Sequence, residues 1–429
     1  MTATLAVIAF VAAYILIATE RIHRVAAALW GAAAMVVLGY ADVHTAFFSE
    51  HTGIDWNVIF LLLGMMILVG VVQQTGAFEF VAIWAAQRAR GRPFAILVSL
   101  VVFTALASAL LDNVTTVLLV APVTLVICDR IGARPIPFLI SEAMASNIGG
   151  TATLIGDPPN IIIGSRAGLT FNDFLLNLAP LIVLLVVVFV GLTRVLFRGQ
   201  LTYDPNRVDE LLQLNARETI RDGRLLWRSG IVLALVIAGF LTHSITHLEP
   251  SLVALLGAGA AVAVSRLEPR DYLRDVEWST LVFFAGLFVM VGGLVQAGVI
   301  GDLGRELTSL IDGRWLLGSS VLLWISGVLS GVIDNIPYVA TLAPLVGDLT
   351  GGSRDPHTDP LWWALALGAD LGGNATAVGA SANVVVLGIA ARSGHPISFW
   401  RFTRYGVVVA FVTIAVSWVY LWLRYFAFG

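Results

Sequence analysis

Apolar runs of membrane-crossing length recur from one end of the chain to the other, separated by short polar breaks. The first, Leu5 to Ala18, has no basic region before it and is followed by Thr19-Glu20-Arg21 instead of a small-residue cleavage site. That pattern predicts a retained first span. Further spans are predicted at 25–40 and 56–73, then an amphipathic piece at 77–90, a helical hairpin at 94–128, an interrupted span at 137–167 and a closing span at 172–197. After a polar stretch from Arg198 to Arg228 and a linking helix near 226–245, the series returns. Spans are predicted at 251–265 and 278–297, an amphipathic piece at 301–311, a hairpin at 315–347, an interrupted span at 360–392 and a closing span at 399–425.

The two series match residue by residue, as an internal repeat requires. Asp55-Trp56 returns 222 residues later as Glu277-Trp278, and Gly64, Gly70, Gln74 and Gly76 return as Gly286, Gly292, Gln296 and Gly298. Asp112-Asn113 with Pro122 returns as Asp334-Asn335 with Pro344 at the same offset. The segment from Asn147 to Asn160 returns at an offset of 223 as the segment from Asp370 to Asn383. The organisation read from this is a first span at 1–20, repeat 1 at 21–197, a linker with its linking span at 198–249, and repeat 2 at 250–429.

Asp-Asn stands at the tip of each hairpin. The arm after Asn113 is read as ending at Cys128, about 22 Å of helix, and the arm after Asn335 as ending near Gly347, about 18 Å. Neither spans a hydrocarbon core about 30 Å thick, so both hairpins are predicted to be re-entrant with tips near the midplane. With the N-terminus outside, 20 of the 25 arginines fall on one side; the exceptions are Arg166, Arg305, Arg314, Arg354 and Arg424. The arginine-rich side is then cytoplasmic, including linker 198–225. Each repeat crosses an odd number of times, so the second copy is inverted relative to the first. Inverted repeats with broken helices at their interface are a secondary-transporter architecture.

Composition narrows the classes. Only 12% of residues are charged and 58% are hydrophobic, where a soluble domain carries about 25% charged residues. No lysine occurs, which excludes a Walker A phosphate loop. The one cysteine, Cys128, excludes an intramolecular disulfide and a multi-cysteine metal site, and reads as a small buried hydrophobe. His243 and His247 lack a third ligand for a metal. Gly257, Gly259 and Ala261 predict close helix packing, and Trp362-Trp363 and Trp422 predict interfacial belt positions. Nothing points to nucleic acid, and no nucleophile–base pair or HExxH motif points to an enzyme.

Ionisable groups inside membrane spans are costly and need a reason. Asp112, Asp157, Asp334 and Asp370 are the four at matched or near-matched places. The tip pairs Asp112-Asn113, with Thr115 beside them, and Asp334-Asn335 have two readings: a substrate or coupling-ion site at freed helix ends, or ordinary N-caps. The segments 147–160 and 370–383 carry Gly149-Gly150, Gly372-Gly373 and Asp157-Pro158-Pro159-Asn160, which interrupt a helix or permit close packing. Unwound backbone at that depth must line protein or a water-filled cavity. Asn147, Thr151, Thr153, Asn160, Asn374, Thr376 and Asn383 then offer an oxygen-rich shell. A carboxyl kept from water favours its neutral form, so Asp112, Asp334, Asp157 and Asp370 are candidates for proton coupling. The match between copies is imperfect, since Asp157 stands opposite Ala380 and Asn147 opposite Asp370.

Leu-Asp-Asn-Val-Thr-Thr at 111–116, Ile-Gly-Asp-Pro-Pro-Asn at 155–160, Ile-Asp-Asn-Ile-Pro at 333–337 and the segment 372–383 resemble the ion transporter superfamily, in the branch holding arsenite permeases and the melanosomal P protein. The resemblance covers almost the whole chain. It implies an all-α polytopic membrane protein with a scaffold domain and a transport domain per protomer, usually in a homodimer, moving like an elevator. It places the site at the two hairpin tips and two broken helices. Sodium-coupled dicarboxylate carriers of the superfamily have Ser-Asn-Thr at the tips, where this chain has Asp-Asn. The expectation is therefore a secondary transporter of the inner membrane, exporting arsenite or antimonite in exchange for protons, with a separate cytoplasmic ATPase subunit as in some arsenite permeases. The alternatives are a sodium/proton antiporter, another anion transporter or a passive anion channel. No cofactor is expected beyond a proton or sodium as coupling ion.

Overall fold

The computed structural model describes residues 3–19, 21–49, 52–204, 207–213, 215–311, 313–351 and 359–427; Glu20 and Arg354 lie outside them. The described residues are helical and turn segments with no strand. Helices satisfy every backbone donor and acceptor within one segment, which a lipid environment demands. Seven of them are long and apolar enough to cross a membrane: Trp56–Gln73, Pro93–Leu110, Asn113–Arg130, Ala179–Leu196, Gly223–Leu241, Trp278–Gln296 and Phe399–Phe426.

The helix starts have local causes. Asp55 accepts from the Val58 amide and starts the helix at Trp56; Asp222 accepts from Arg224 and Leu225 and starts the linking helix at Gly223, three residues ahead of the sequence expectation. Trp56 and Trp278 each turn the indole N–H back to a preceding carbonyl, of Phe47 and Leu273 respectively. The short helices Val43–Phe47 and Pro269–Leu273 that supply those carbonyls were not read from the sequence.

The repeat is visible bond for bond. Ser108 donates to the Ser146 carbonyl and Ser330 to that of Ala369, at 2.7 and 2.5 Å. Thr153 donates to Ala109 and Thr376 to Gly331, at 2.5 and 2.6 Å. Each pair fastens the outward arm of a hairpin to the broken helix of its own repeat. The first broken helix runs Ile136–Gly150 and resumes as Pro158–Ala167; the second runs Asp359–Gly372 and resumes as Ser381–Arg392.

The helices sort into two groups. Ala3–Thr19, Arg24–Val37, Trp56–Gln73, Gly223–Leu241, Pro250–Ser265 and Trp278–Gln296 pack mainly on one another. Both hairpins, both broken helices and the closing helices Ala179–Leu196 and Phe399–Leu421 form the second group. They are the scaffold and transport parts of an all-α polytopic fold built from two inverted repeats.

Several expectations change. The return arms are longer than read: Asn113–Arg130 and Asn335–Leu349 carry Pro122 and Pro344 inside the helix, reaching about 27 and 22 Å. Re-entry therefore rests on where the tips end and not on arm length, and both tips end in the protein interior, where Asn113 and Asn335 are 3% and 1% exposed. Trp362 and Trp363 are not belt residues. They are 3% and 1% exposed, and Trp363 meets Phe174 edge-on at 5.3 Å. Gly257 does bring the linking helix close, since a Cβ there would meet Val236 at 2.1 Å, but Gly259 faces open space. Cys128 is a buried free thiol, as expected.

Candidate functional site

Helix starts decide which tip side chain enters the interior. Asp112 caps its own helix: its carboxylate accepts the Thr115 amide at 2.8 Å and the Thr115 hydroxyl at 2.5 Å. Asn113, one residue on, is rotated by about 100° and points inward. It donates to Asn147 at 3.1 Å and to Asp157 at 2.9 Å. In the second repeat Asp334 accepts the Ile336 amide at 3.1 Å, and Asn335 donates to both oxygens of Asp157 at 3.3 and 3.4 Å. Amides from both hairpin tips thus meet on one carboxylate.

Two prolines leave Asp157 free to receive them. An N-cap carboxylate ordinarily accepts an amide from the second or third helical residue. Here the first two are Pro158 and Pro159, which have no N–H, the third, Asn160, gives its N–H to the Asp157 carbonyl at 3.0 Å, and Asp157 makes no side-chain cap bond. The acid that sequence places at a helix start is turned into the protein instead.

The cluster extends across the repeats. Asn147 donates to Asn374 at 3.0 Å and to Asn383 at 3.1 Å. Asn383 donates to the Gly373 and Thr376 carbonyls, and its counterpart Asn160 to those of Gly150, Thr151 and Thr153. These amides hold the unwound segments 151–157 and 373–380 in shape. Asp370 is fully buried and bears electrostatically on Asp157. Thr151 and Asn160 are its polar neighbours, but the Thr151 hydroxyl is given to the Asn147 carbonyl. Both Asp370 oxygens and Asn160 Oδ1 have no hydrogen-bond partner among the described residues.

The structure thus brings together Asn113, Asn147, Asp157, Asn160, Asn335, Asp370, Asn374 and Asn383. Thr115, Thr153 and Thr376 spend their hydroxyls locally. Gly149 and Gly372 serve packing: a Cβ would come within 2.2 Å of Ala105 O and 2.5 Å of Gly327 O, where the hairpin arms cross.

Asp112 and Asp334 make their hydrogen bonds elsewhere, although both also bear electrostatically on Asp157. Asp334 accepts the Ser381 hydroxyl at 2.7 Å and lies 3.8 Å from the Arg24 guanidinium. Arg24 also donates to Ser381 at 2.9 Å and to Thr280 at 3.4 Å. These groups border a cavity of about 540 Å³ between the scaffold part (Arg24, Glu277) and the transport part (Val114, Asp334, Ser381). Arg24 and Ser381 were missed in the sequence. A lone arginine at a span's start reads as an orientation signal, and Ser381 corresponds to Pro158 in the other copy.

Comparison with known proteins decides the family. The family model described as "Citrate transporter" (CitMHS) matches residues 14–368. The chain belongs to the CitMHS citrate transporter family. An uncharacterized transporter of Mycobacterium bovis is 58% identical over 424 residues, 98% of each chain. The P protein of Sus scrofa is 33% identical over 508 residues, covering 99% of this chain and 60% of that protein. The solved YdaH transporter of Alcanivorax borkumensis shares the fold, with a TM-score of 0.61 at 16% identity, over 94% of this chain and 98% of that one. This CitMHS-family chain is therefore a multi-pass membrane transporter, and the resemblance to the ion transporter superfamily and the P protein holds.

Proposed function

We propose that the protein is a secondary active transporter that exchanges a small solute for protons, with arsenite or antimonite as the exported cargo and an elevator movement of the hairpins and broken helices. The observation that carries the coupling is the pair Asp157 and Asp370. Both are fully buried, and the donors that reach Asp157 are neutral amides from the two tips. Two ionised carboxylates left without cations in such a place are strongly unfavourable; a proton or a bound cation relieves them. An exchanger that must carry either cargo or proton, and never neither, is built on that need.

Neutral arsenite suits a cluster of amides and acids. The family is named for citrate, but a tricarboxylate calls for cationic partners, and Arg24, the guanidinium at the tip cavity, is taken by Asp334 and Ser381. One observation favours sodium as the coupling ion: Asp370 and Asn160 Oδ1 supply buried oxygens without donors, which suits a hard cation. The reading extends to a homodimer in the inner membrane with the N-terminus outside and linker 198–225 cytoplasmic, and to a separate ATPase subunit as an optional partner.

Proteoliposomes carrying the purified protein test it. A pH gradient imposed without sodium should drive arsenite uphill. Uphill movement only with a sodium gradient selects sodium coupling. Citrate accumulation with no arsenite flux, or arsenite flux that only follows its own gradient, overturns the proposal.

A further inference from the structure

Glu142 is the one acid in the apolar helix Ile136–Gly150, and it is fully buried. The repeat passes it over, because Leu365 stands at its counterpart position. Its Oε1 accepts the Thr124 hydroxyl, and its Oε2 has no partner among the described residues. The described residues around it supply no countercharge. On the hairpin's return arm its titratable neighbour is the Cys128 thiol, while Asp129 and Arg130 are exposed at the arm's end. The outward arm Pro93–Leu110 has no charged residue. Arg194 of the closing helix lies over Phe94, and Arg392 is exposed. Asp370 belongs to the cluster at the breaks, and Asp359 stands at the first residue of its helix. Such surroundings suit a neutral acid, which donates as well as accepts, and not a lone carboxylate.

Glu142 also lies in line with the transport cluster. Asn113 and Thr124 are 11 residues apart on the same helix, about three turns, and so share a face. Asn113 bonds Asn147 and Asp157 at one end of that face, and Thr124 bonds Glu142 at the other. Between them sits Thr116, fully buried, with a hydroxyl that has no partner among the described residues. Asn113, Thr116 and Thr124 are polar on an arm whose other buried side chains, such as Val117 and Val120, are apolar; Thr116 and Thr124 stand about 12 Å apart along the helix, a gap that water must bridge.

We infer that Glu142 is a proton-relay residue that serves the Asp157–Asp370 cluster along the Thr124–Thr116–Asn113 face of the first hairpin. The inference rests on the proton-coupled reading above. In each cycle the O–H bond of the Glu142 acid breaks and its proton passes to water at the Arg130 end of the hairpin. The carboxylate left behind is then re-protonated by the acid form of Asp157 or Asp370, through bridging water and the threonine hydroxyls. Charge balances at every stage and no electron is transferred. Glu142 touches no cargo, so it is a positioning and relay group.

The test uses the full-length protein and arsenite as probe. In Glu142→Gln, arsenite-driven proton flux should fall at least about tenfold, its pH profile should flatten, and arsenite counterflow at equal pH should stay at the wild-type rate. Infrared spectra of the wild type should show a protonated carboxyl band that is missing in Glu142→Gln. Thr124→Val, which keeps the acid and removes its one partner, should shift that band, and this arm decides the matter should the Gln variant not fold. Wild-type proton flux in Glu142→Gln, or a band unmoved in both variants, overturns the relay. Wild-type protein that moves arsenite without protons sinks the coupling reading, whatever the infrared arm shows of Glu142.

Discussion

Asn335, at the tip of the second repeat's hairpin, donates to Asp157 in the first repeat's broken helix, at 3.3 and 3.4 Å to its two oxygens. With Asn113 on the same carboxylate at 2.9 Å, both copies of the repeat close on a single acid that only one copy possesses. The site is quasi-symmetric in its scaffolding amides and asymmetric in its charge.

Removing one amide leaves a buried group unpaired. Asn113→Ala leaves Asn147 Oδ1 without its donor and Asp157 Oδ2 with the longer bond from Asn335 alone, at about 1–3 kcal/mol for an unsatisfied group. The detergent-solubilised variant should unfold at a clearly lower denaturant midpoint than wild type. An unchanged midpoint would show that these bonds do not hold the tip.

The proline pair after Asp157 can be tested directly. Pro159→Ala restores an amide N–H at the second helical residue, where a capping carboxylate would accept it. A cap is worth about 1 kcal/mol, so the acid should be drawn back to its own helix and coupled transport should fall about fivefold without loss of stability. Pro158→Ala frees only the first helical N–H, and is the control that should keep its rate.

Asp112 and Asp334 divide under substitution. Asn caps as well as Asp, so Asp112→Asn should keep transport within about twofold of wild type. Asp334→Asn loses the charge that faces Arg24 as well, and should alter transport while the cap survives. Equal loss of coupled transport in both variants would place the tip acids back among the coupling groups.

Much of this was legible in the sequence, because the repeat writes the fold twice. Helix starts followed from apolar runs, as at Trp56. Which of two adjacent tip residues points inward was not legible: it turns on where the helix starts, which the bond from the Thr115 amide to Asp112 sets. Trp362 and Trp363 misled because a tryptophan pair near a helix start looks interfacial until the partner, here Phe174, is known. Glu142 was within reach, since any acid in an apolar run asks for a reason, but matching copy against copy hides a residue that only one copy has.

Glycines at the arm crossings carry a stability prediction. Gly149→Ala and Gly372→Ala drive a Cβ into the Ala105 and Gly327 backbone and should destabilise by about 1–3 kcal/mol or more. Gly191→Ala meets nothing within 4 Å and should be neutral or stabilising by up to about 1 kcal/mol. Thermal unfolding of the three variants side by side checks the helix crossings.

Arg24 reaches Thr280 in the scaffold part and Ser381 in the transport part. In a Cys128→Ser background, a Thr280→Cys/Ser381→Cys pair joined by a short bifunctional thiol reagent should arrest transport. Full activity after quantitative cross-linking would contradict relative movement of the two parts.

In the proposed mechanism the buried acid held by both tips couples solute to proton. Proton flux driven by an arsenite gradient, measured in proteoliposomes of wild type and Asp157→Asn, tests it most directly. Proton movement opposite to arsenite is expected in the wild type, and its loss in Asp157→Asn. Equal proton flux in the two proteins would contradict it.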